Sequence, residues 1–395
     1  MSRDKSSGAR KCPLCGRAMR RNGFTGAGSQ RWRCDGCRSS STARRDDSRR
    51  MAEFRAFLAW VTGKESMGEA AGRLGVTRRT FSARVAWCWN VEPGMPDDPR
   101  THRYVMADGT YVPYGWCLLV LTGGDGRPIA WQWCDSESKA AYLQLLRRVK
   151  RPGLLVCDGG RGCLAAAERR WMDVPVQRCL VHVLRNTRVD LTNGPRGEAG
   201  RELLGLARRL VRVTTADEAA AWLKELNDWR GRHDDHLKER TVAKQDPMHA
   251  RGRKWWWTHE RLRRAYFRLV RLNRAGVPFA FCDPAVLKGG GPLPSTTNQL
   301  EGGVNAVAER ALDHHRGLSE EHMRRCCEWA VYMLTEQPDP MALVTPEHWR
   351  TRKGRPAGND GPMPGTMTAV QEPTDGVDAY ESGFGIRKGW AGRST

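Results

Sequence analysis

The chain of 395 residues contains no uninterrupted apolar run of about 18 residues or more, so no transmembrane helix is expected. Its first stretch, Met1 to Lys11, is charged and has no apolar segment, so no export signal is expected and the reading is a cytoplasmic protein with no membrane partner. No internal repeat is evident. Acidic residues are scarce beside basic ones, 44 against 66, which leaves a net charge of +22. Arginine dominates that excess, and its planar fork suits phosphate oxygens, so a polyanionic partner is the natural reading. The thirteen cysteines do not form a disulfide framework. Four follow a metal-binding spacing, and the others are scattered through predicted strands and helices as small buried residues usually are.

Those four open the chain. Cys12-x-x-Cys15 and Cys34-x-x-Cys37 have the spacing of a four-thiolate zinc ribbon, in which two tight turns each present two sulfurs to one structural Zn²⁺. Arg17, Arg20, Arg21, Arg31 and Arg33 surround the pairs, together with Trp32 and Phe24, and are candidate DNA contacts. The alternative is a ribbon used only for stability or protein contacts. A second module runs to about Asn90. Phe54, Phe57, Leu58 and Val61 fall at helical spacing. Met67, Ala70, Ala71 and Leu74 then line one face of a short helix, Gly75 permits a sharp turn, and Thr77 caps a following helix that buries Phe81 and Val85. This is a helix-turn-helix pattern, with Arg78, Arg79 and Arg84 available to the major groove or to phosphates. A purely structural helical pair has the same short pattern.

A proline-rich linker precedes a strand-rich stretch. Tyr104–Asp108, Trp116–Thr122 and Pro128–Cys134 read as strands, Glu137–Val149 as a helix, and Leu154–Asp158 as a short buried strand. Leu164–Trp171 reads as a helix, Val174–Cys179 as a strand, and a helix starts near Val181. Strand-strand-strand-helix-strand-helix-strand-helix is the RNase H order. The fold class expected is therefore α/β, a mixed five-stranded RNase H-like sheet with helices. Glu301 lies 143 residues beyond Asp158, and the intervening segment carries three amphipathic helical patterns. They are Leu203–Val211, a face from Ala219 to Trp229 opened by the capping box Thr215-x-x-Glu218, and Leu262–Val270. An all-helical insertion domain inside the catalytic domain is the expectation. The predicted organisation is a zinc ribbon over 1–45, a helix-turn-helix domain over 46–92 and a linker over 93–102. The core's first part follows over 103–192, the insertion over 193–291, the core's second part over 292–336, and a Pro/Gly-rich tail over 337–395.

Phosphodiester hydrolysis and transesterification need an activated oxygen nucleophile and a stabilised leaving oxygen, which two divalent ions held by carboxylates supply. Asp108 and Asp158 stand at predicted strand ends, and Glu301 stands on a predicted late helix. One RNase H-like fold would bring the three together to hold two Mg²⁺, or Mn²⁺, ions. Asn298 and Asn305 share the Glu301 face of a regular helix and are candidate DNA contacts. Arg310 lies off that face and is a further candidate. Cys179-x-x-His182 offers two ligand-type side chains with no obvious third, so a buried cysteine beside a hydrogen-bonded histidine is one reading. Arg253, Lys254 and Trp256, within Arg251–Trp257, combine cations with stackable rings, although a tryptophan cluster also suits a helical core.

These residues resemble the Mutator-like bacterial insertion-sequence transposases with a DDE active site, in the subgroup that carries an N-terminal zinc ribbon. The matching elements are Asp108-Gly-Thr-Tyr-Val112, Asp158-Gly-Gly160, Arg178-Cys-x-x-His182-x-x-x-Asn186 and Ser295-Thr-Thr-Asn298-x-Leu300-Glu301, within a likeness spanning about residues 10 to 335. The resemblance implies an RNase H-like core interrupted by a helical insertion, with Asp108, Asp158 and Glu301 as the catalytic, metal-binding triad. It implies that Cys179 and His182 support the active site or the DNA end. It also implies double-stranded DNA partners, namely terminal inverted repeats and a target, and a dimer or higher assembly that synapses two ends near the nucleoid. The alternatives are a DNA-binding regulator derived from such an enzyme and a structure-specific nuclease without strand transfer.

Overall fold

The computed structural model describes residues 10–12, 15–26, 28–42, 46–95 and 98–349. The expected tail lies outside the described residues from 350 onward. A small antiparallel sheet comes first, made of β1 (Met19–Phe24), β2 (Gln30–Cys34) and β3 (Ser40–Thr42), with β2 in the middle. Next is α1 (Asp46–Val61), then α2 (Met67–Arg73) and α3 (Arg78–Val85). Helix α2 opens on a reciprocal capping box between Ser66 and Glu69, and Gly75 makes the turn at φ +63°. The Thr77 hydroxyl then accepts the Thr80 amide and starts α3, which buries Phe81 and Val85 as their spacing predicts. Leu74 departs from expectation. It is 43% exposed because α2 stops at Arg73 and the Leu74 backbone (φ −91°, ψ 1°) no longer follows the helical period.

After residue 97 come β4 (Val105–Tyr111), β5 (Cys117–Thr122), β6 (Pro128–Cys134), α4 (Lys139–Leu146), β7 (Leu155–Cys157), α5 (Arg161–Arg170), β8 (Val176–Arg178) and α6 (Leu180–Leu191). This is the element order read from the pattern. The five strands form one mixed sheet in the order β6-β5-β4-β7-β8, antiparallel among β4, β5 and β6 and parallel among β4, β7 and β8. Strand β4 does not end at Asp108. Its antiparallel partner β5 carries the pairing on to Tyr111, past the point where the parallel partner β7 stops.

The following segment contains α7 (Glu198–Leu210), α8 (Ala216–Lys238), β9 (Arg240–Val242), β10 (Trp255–Trp257), α9 (Glu260–Arg274) and α10 (Pro284–Leu287). It is not all-helical as expected, because β9 and β10 pair as a small antiparallel hairpin. Three successive tryptophans suit a strand, where alternate side chains point to opposite faces. Trp255 and Trp257 both pack against the Arg240 guanidinium, at 4.2 and 4.7 Å, while Trp256 meets Arg253 at 5.3 Å. The chain continues through α11 (Asn298–Leu300), α12 (Ala306–His314) and α13 (Glu320–Tyr332).

The described residues group into two compact units, one of residues up to 95 with 304–349 and the other of 98–303. The stretch 292–336, read from the sequence as one piece, is divided between them. In the first unit the core is aromatic. Phe54 meets Trp329 of α13 edge-on, Phe57 meets Trp89, and Trp60 meets Phe81. In the second unit the sheet separates two apolar clusters by simple alternation. Val105, Ala107, Leu155 and Cys157 face α4 and α5, packing with Tyr142, Leu145 and Trp171. Met106, Leu154 and Val156 face the other way, into one cluster with Leu180 and Val183 of α6 and with Leu203, Trp222, Trp229 and Tyr266 of the helical segment. Buried Asp190 of α6 ties that segment down further through Arg264 (2.7 Å) and Arg268 (3.0 Å) of α9. Among the described residues no helix is long and apolar enough to cross a membrane.

One shared cluster predicts shared unfolding. Trp229 is fully buried and donates from Nε1 to the Ala199 carbonyl at 3.1 Å, so Trp229→Ala should cost about 3–5 kcal/mol in chemical denaturation. Amide exchange should show α7–α9 opening together with β4 and β7. Helices that opened while those strands stayed protected would contradict a common core.

Candidate active site

Strand register places the first two acids side by side. Ala107 and Cys157 are the last paired residues of the parallel strands β4 and β7, and the next residue on each strand is an aspartate, Asp108 and Asp158. Neighbouring strands lie about 4.8 Å apart. By alternation both carboxylates leave the sheet on the face of Met106 and Val156, the one covered by α6. The Asp158 Oδ1 accepts the Gly160 amide at 2.8 Å. Gly159 has φ +80°, and a Cβ there would lie 1.7 Å from Nη1 of Arg178, whose guanidinium donates to the Gly159 carbonyl. Both its conformation and its surroundings therefore exclude a side chain at the residue that follows Asp158.

Glu301 arrives from far along the chain. The backbone amide of Leu180 donates to the Ser295 carbonyl at 3.0 Å, and the Thr297 amide donates to Sγ of Cys179 at 3.3 Å. These bonds dock the segment before α11 onto the start of α6. Leu300 is buried in the core, and Glu301 turns outward beside it. The expected regular helix is interrupted here, because Glu301–Asn305 form a π-helical turn, a feature often found at functional sites. The Thr297 hydroxyl donates to Oε1 of Glu301 at 2.7 Å and the Arg185 guanidinium to Oε2 at 3.1 Å. Asn298 is exposed and Asn305 is buried, so only the first is presented to solvent.

The acids influence one another strongly. Burial, followed by the charges of Asp158, Glu137 and Glu301, pushes Asp108 well above the ordinary aspartate range. Glu137 was not among the expected site residues. It stands just before α4, accepts the Tyr142 hydroxyl at 2.7 Å, and is pushed up to about 7 by burial and then by the charge of Asp158. Gly109 makes room for it, since a Cβ at that strand position would lie 2.9 Å from Cδ of Glu137. Its only signal in the sequence is an acid between the third strand and the next helix. Thr297 and Arg185 were missed in the same way, and the contacts that mark them are tertiary.

The remaining expected residues lie elsewhere. Cys12, Cys15, Cys34 and Cys37 converge, with Sγ–Sγ contacts of 3.4 Å between Cys12 and Cys37 and between Cys15 and Cys34. Tetrahedral zinc with four thiolates separates its sulfurs by about 3.8 Å, so the group is able to hold such an ion. The backbone amide of Cys37 lowers the Cys34 thiol, while Cys15, hydrogen-bonded to it, is raised to about 12, so the sulfurs share protons that a metal would displace. Arg17, Arg20, Arg21, Arg31 and Arg33 are exposed around it, with Arg20 paired to Asp35. Arg78, Arg79 and Arg84 are exposed on α3, and Arg310 on α12. Arg253 and Lys254 are exposed, and Trp256 lies on the hairpin outside the buried core.

The crowded acids predict a definite pH response. Both shifts are upward, so folding favours the protonated carboxyls. For Glu137 that contribution is complete below its ordinary value of 4.5 and is lost as pH rises through about 7. The loss is on the order of 3 kcal/mol for this group. Thermal melts in magnesium-free buffer should therefore fall between about pH 5 and about pH 8. Adding Mg²⁺ should recover part of the fall, and Glu137→Gln should flatten it. Melting temperatures that stayed level across this window, with or without the cation, would contradict the repulsion.

No curated protein matches the chain. Residues 103–239 match the profile of the family described as "Transposase, Mutator family". The matched segment contains Asp108, Glu137, Asp158, Cys179 and His182 and ends before Glu301, and it supports a transposase function. The likeness to the Mutator-family transposases thus covers residues 103–239 of the chain.

Proposed function

We propose that the protein is the DDE transposase of an insertion sequence, of the subgroup with an N-terminal zinc ribbon. It binds the terminal inverted repeats of its element, cleaves DNA to free a 3′-hydroxyl, and joins that hydroxyl to a second phosphodiester. One observation carries this reading: the register of β4 against β7 sets Asp108 and Asp158 side by side within the segment that matches the Mutator transposase family. A mixed sheet with the first acid on its central strand and the second on the adjacent parallel strand supports an RNase H-like core.

The donor set fits hard divalent cations, because it consists of carboxylate oxygens whose mutual repulsion positive charge relieves. Asp108, Asp158 and Glu301 would together hold two Mg²⁺ or Mn²⁺ ions. Bound there, such ions supply an activated oxygen nucleophile and stabilise the leaving oxygen. The protein's own groups set the geometry. The Gly160 amide orients Asp158, while Thr297 and Arg185 orient the two oxygens of Glu301.

DNA recognition falls to the surrounding modules. Helices α2 and α3 form a helix-turn-helix whose Arg78, Arg79 and Arg84 meet the major groove or phosphates. The zinc-bound ribbon adds Arg17, Arg20, Arg21, Arg31 and Arg33, and Arg310 and Asn298 add contacts near the core. The hairpin with Arg253, Lys254 and Trp256 suits unpaired bases beside a cut. A dimer or larger assembly synapses two ends on DNA in the cytoplasm.

The experiment incubates purified protein with Mg²⁺ and labelled element ends. Strand-joined products are expected. Asp108→Asn, Asp158→Asn and Glu301→Gln should each abolish cleavage and joining while end binding persists in a mobility-shift assay. A variant that cleaves at the wild-type rate would remove that acid from the triad, and cut ends without joined strands would favour a nuclease. Arg78→Ala and Arg79→Ala should weaken binding, and for a phosphate contact the slope of affinity against salt should fall by about 1.

A further inference from the structure

Among the described residues two groups bring metal-type ligand atoms together, the four cysteines of the N-terminal sheet and a second group of Cys179, His182 and Glu301. In the second, one sulfur, one ring nitrogen and one carboxylate oxygen all lie within 4.8 Å of one another. Cys179 caps the N-terminus of α6 and His182 follows three residues later, so both project from the same face of its first turn. Glu301 faces them from the π turn.

Three observations say that this group is built for a ligand. The His182 Nδ1 is buried with no close hydrogen bond, 3.6 Å from Oε1 of Glu301, and its ring interacts instead with the neighbouring Cys179 thiol. A buried polar atom left in that condition is costly unless something else meets it. Cys179 is fully buried, and its sulfur accepts the Thr297 amide, which stabilises a thiolate. The Glu301 carboxylate is held in place by the Thr297 hydroxyl, the kind of outer support that orients metal ligands. On the solvent side the Arg185 guanidinium, 43% exposed, donates to Oε2 of Glu301 at 3.1 Å and lies 3.4 Å from His182 Nε2, so a cation bound here would have to displace it from the carboxylate.

We propose that Cys179, His182 and Glu301 form a binding site for a thiophilic divalent cation of the zinc class. Magnesium prefers oxygen donors throughout, whereas a thiolate, an imidazole and a carboxylate together suit zinc or cobalt, with three protein ligands leaving a fourth position open. Binding exchanges the S–H bond of Cys179 for a sulfur–metal bond and releases that proton to solvent. Glu301 cannot serve this cation and the paired aspartates equally well, so zinc competes with the magnesium-dependent reaction. That competition rests on the proposed catalytic role of Glu301. The binding itself does not.

The test titrates the reduced, metal-free, full-length protein with Co²⁺ and follows thiolate-to-cobalt absorption. Two equivalents per chain are expected, one at the site of four thiolates and one at the site of a single thiolate. Cys179→Ser and His182→Ala should each reduce the stoichiometry to one and leave the four-thiolate spectrum intact. Circular dichroism checks folding, and if one variant fails to fold the other decides by the same criterion. A wild-type stoichiometry of one, or a folded variant that still binds two, would overturn the proposal. Cleavage of labelled ends at fixed Mg²⁺ and rising Zn²⁺ separates the two readings. Cobalt bound at both sites with no cleavage under any condition would overturn the catalytic reading alone. Cleavage with cobalt bound only by the four cysteines would overturn this inference alone.

Discussion

Repulsion between carboxylates governs residues 98–303. Asp108 stands among the charges of Asp158, Glu137 and Glu301, and burial first and neighbouring carboxylate charge second displace both Asp108 and Glu137 upward. Local hydrogen bonds offset only part of this, the Gly109 amide lowering Asp108 and the Tyr142 hydroxyl lowering Glu137. The arrangement persists because the register of β4 against β7 fixes the two aspartates, and that register is held by apolar clusters on both faces of the sheet. Burying one large apolar side chain contributes about 1.5–3 kcal/mol, roughly the cost of one displaced carboxyl. The extensive core beneath the acids is thus what allows them to stay close. The same logic explains the glycines at the edge. Gly159 yields to Arg178 and Gly109 yields to Glu137, so both neighbours of the acids give up their side chains to let other groups approach.

The strands were legible because they are short apolar runs punctuated by turn residues, and their order along the chain followed from the pattern. The adjacency of Asp108 and Asp158 was legible too, since each follows an apolar run, although β4 continues past Asp108 to Tyr111. Glu301 was legible only through the motif around it. What the sequence withheld depends on the third dimension. Glu137 has no motif, and its proximity to Asp108 comes from the way α4 packs. The third partner of Cys179 and His182 was hidden because Glu301 is remote in the chain, although both belong to the same cluster in space. The π turn at Glu301 and the hairpin at Trp255–Trp257 escaped notice because a short apolar or mixed run does not declare its backbone geometry. Leu74 was misplaced because helical spacing was extended one residue beyond the end of α2.

The net charge of +22 also divides on inspection. Several arginines are committed to the fold. Arg178 holds the Gly159 carbonyl, Arg264 and Arg268 neutralise buried Asp190, and buried Arg325 joins Glu92 and Glu328. Others stand exposed on the N-terminal sheet, on α3 and on the hairpin. Composition alone counts both kinds equally. The second kind is exposed to a polyanion, and it also includes Arg147 at the end of α4 and Arg169 and Arg170 on α5, beside the five-stranded sheet.

The docking of residues 295–301 onto the start of α6 bears on biogenesis. Cys179 must wait for Thr297, and Leu180 for Ser295, before either bond can form, which makes these contacts among the most sequence-distant in the fold. A ribosome that has finished β8 has already produced both aspartates, yet the glutamate still lies more than a hundred codons ahead. The acidic cluster is therefore incomplete during synthesis: Glu301 joins it only after the intervening segment has been made.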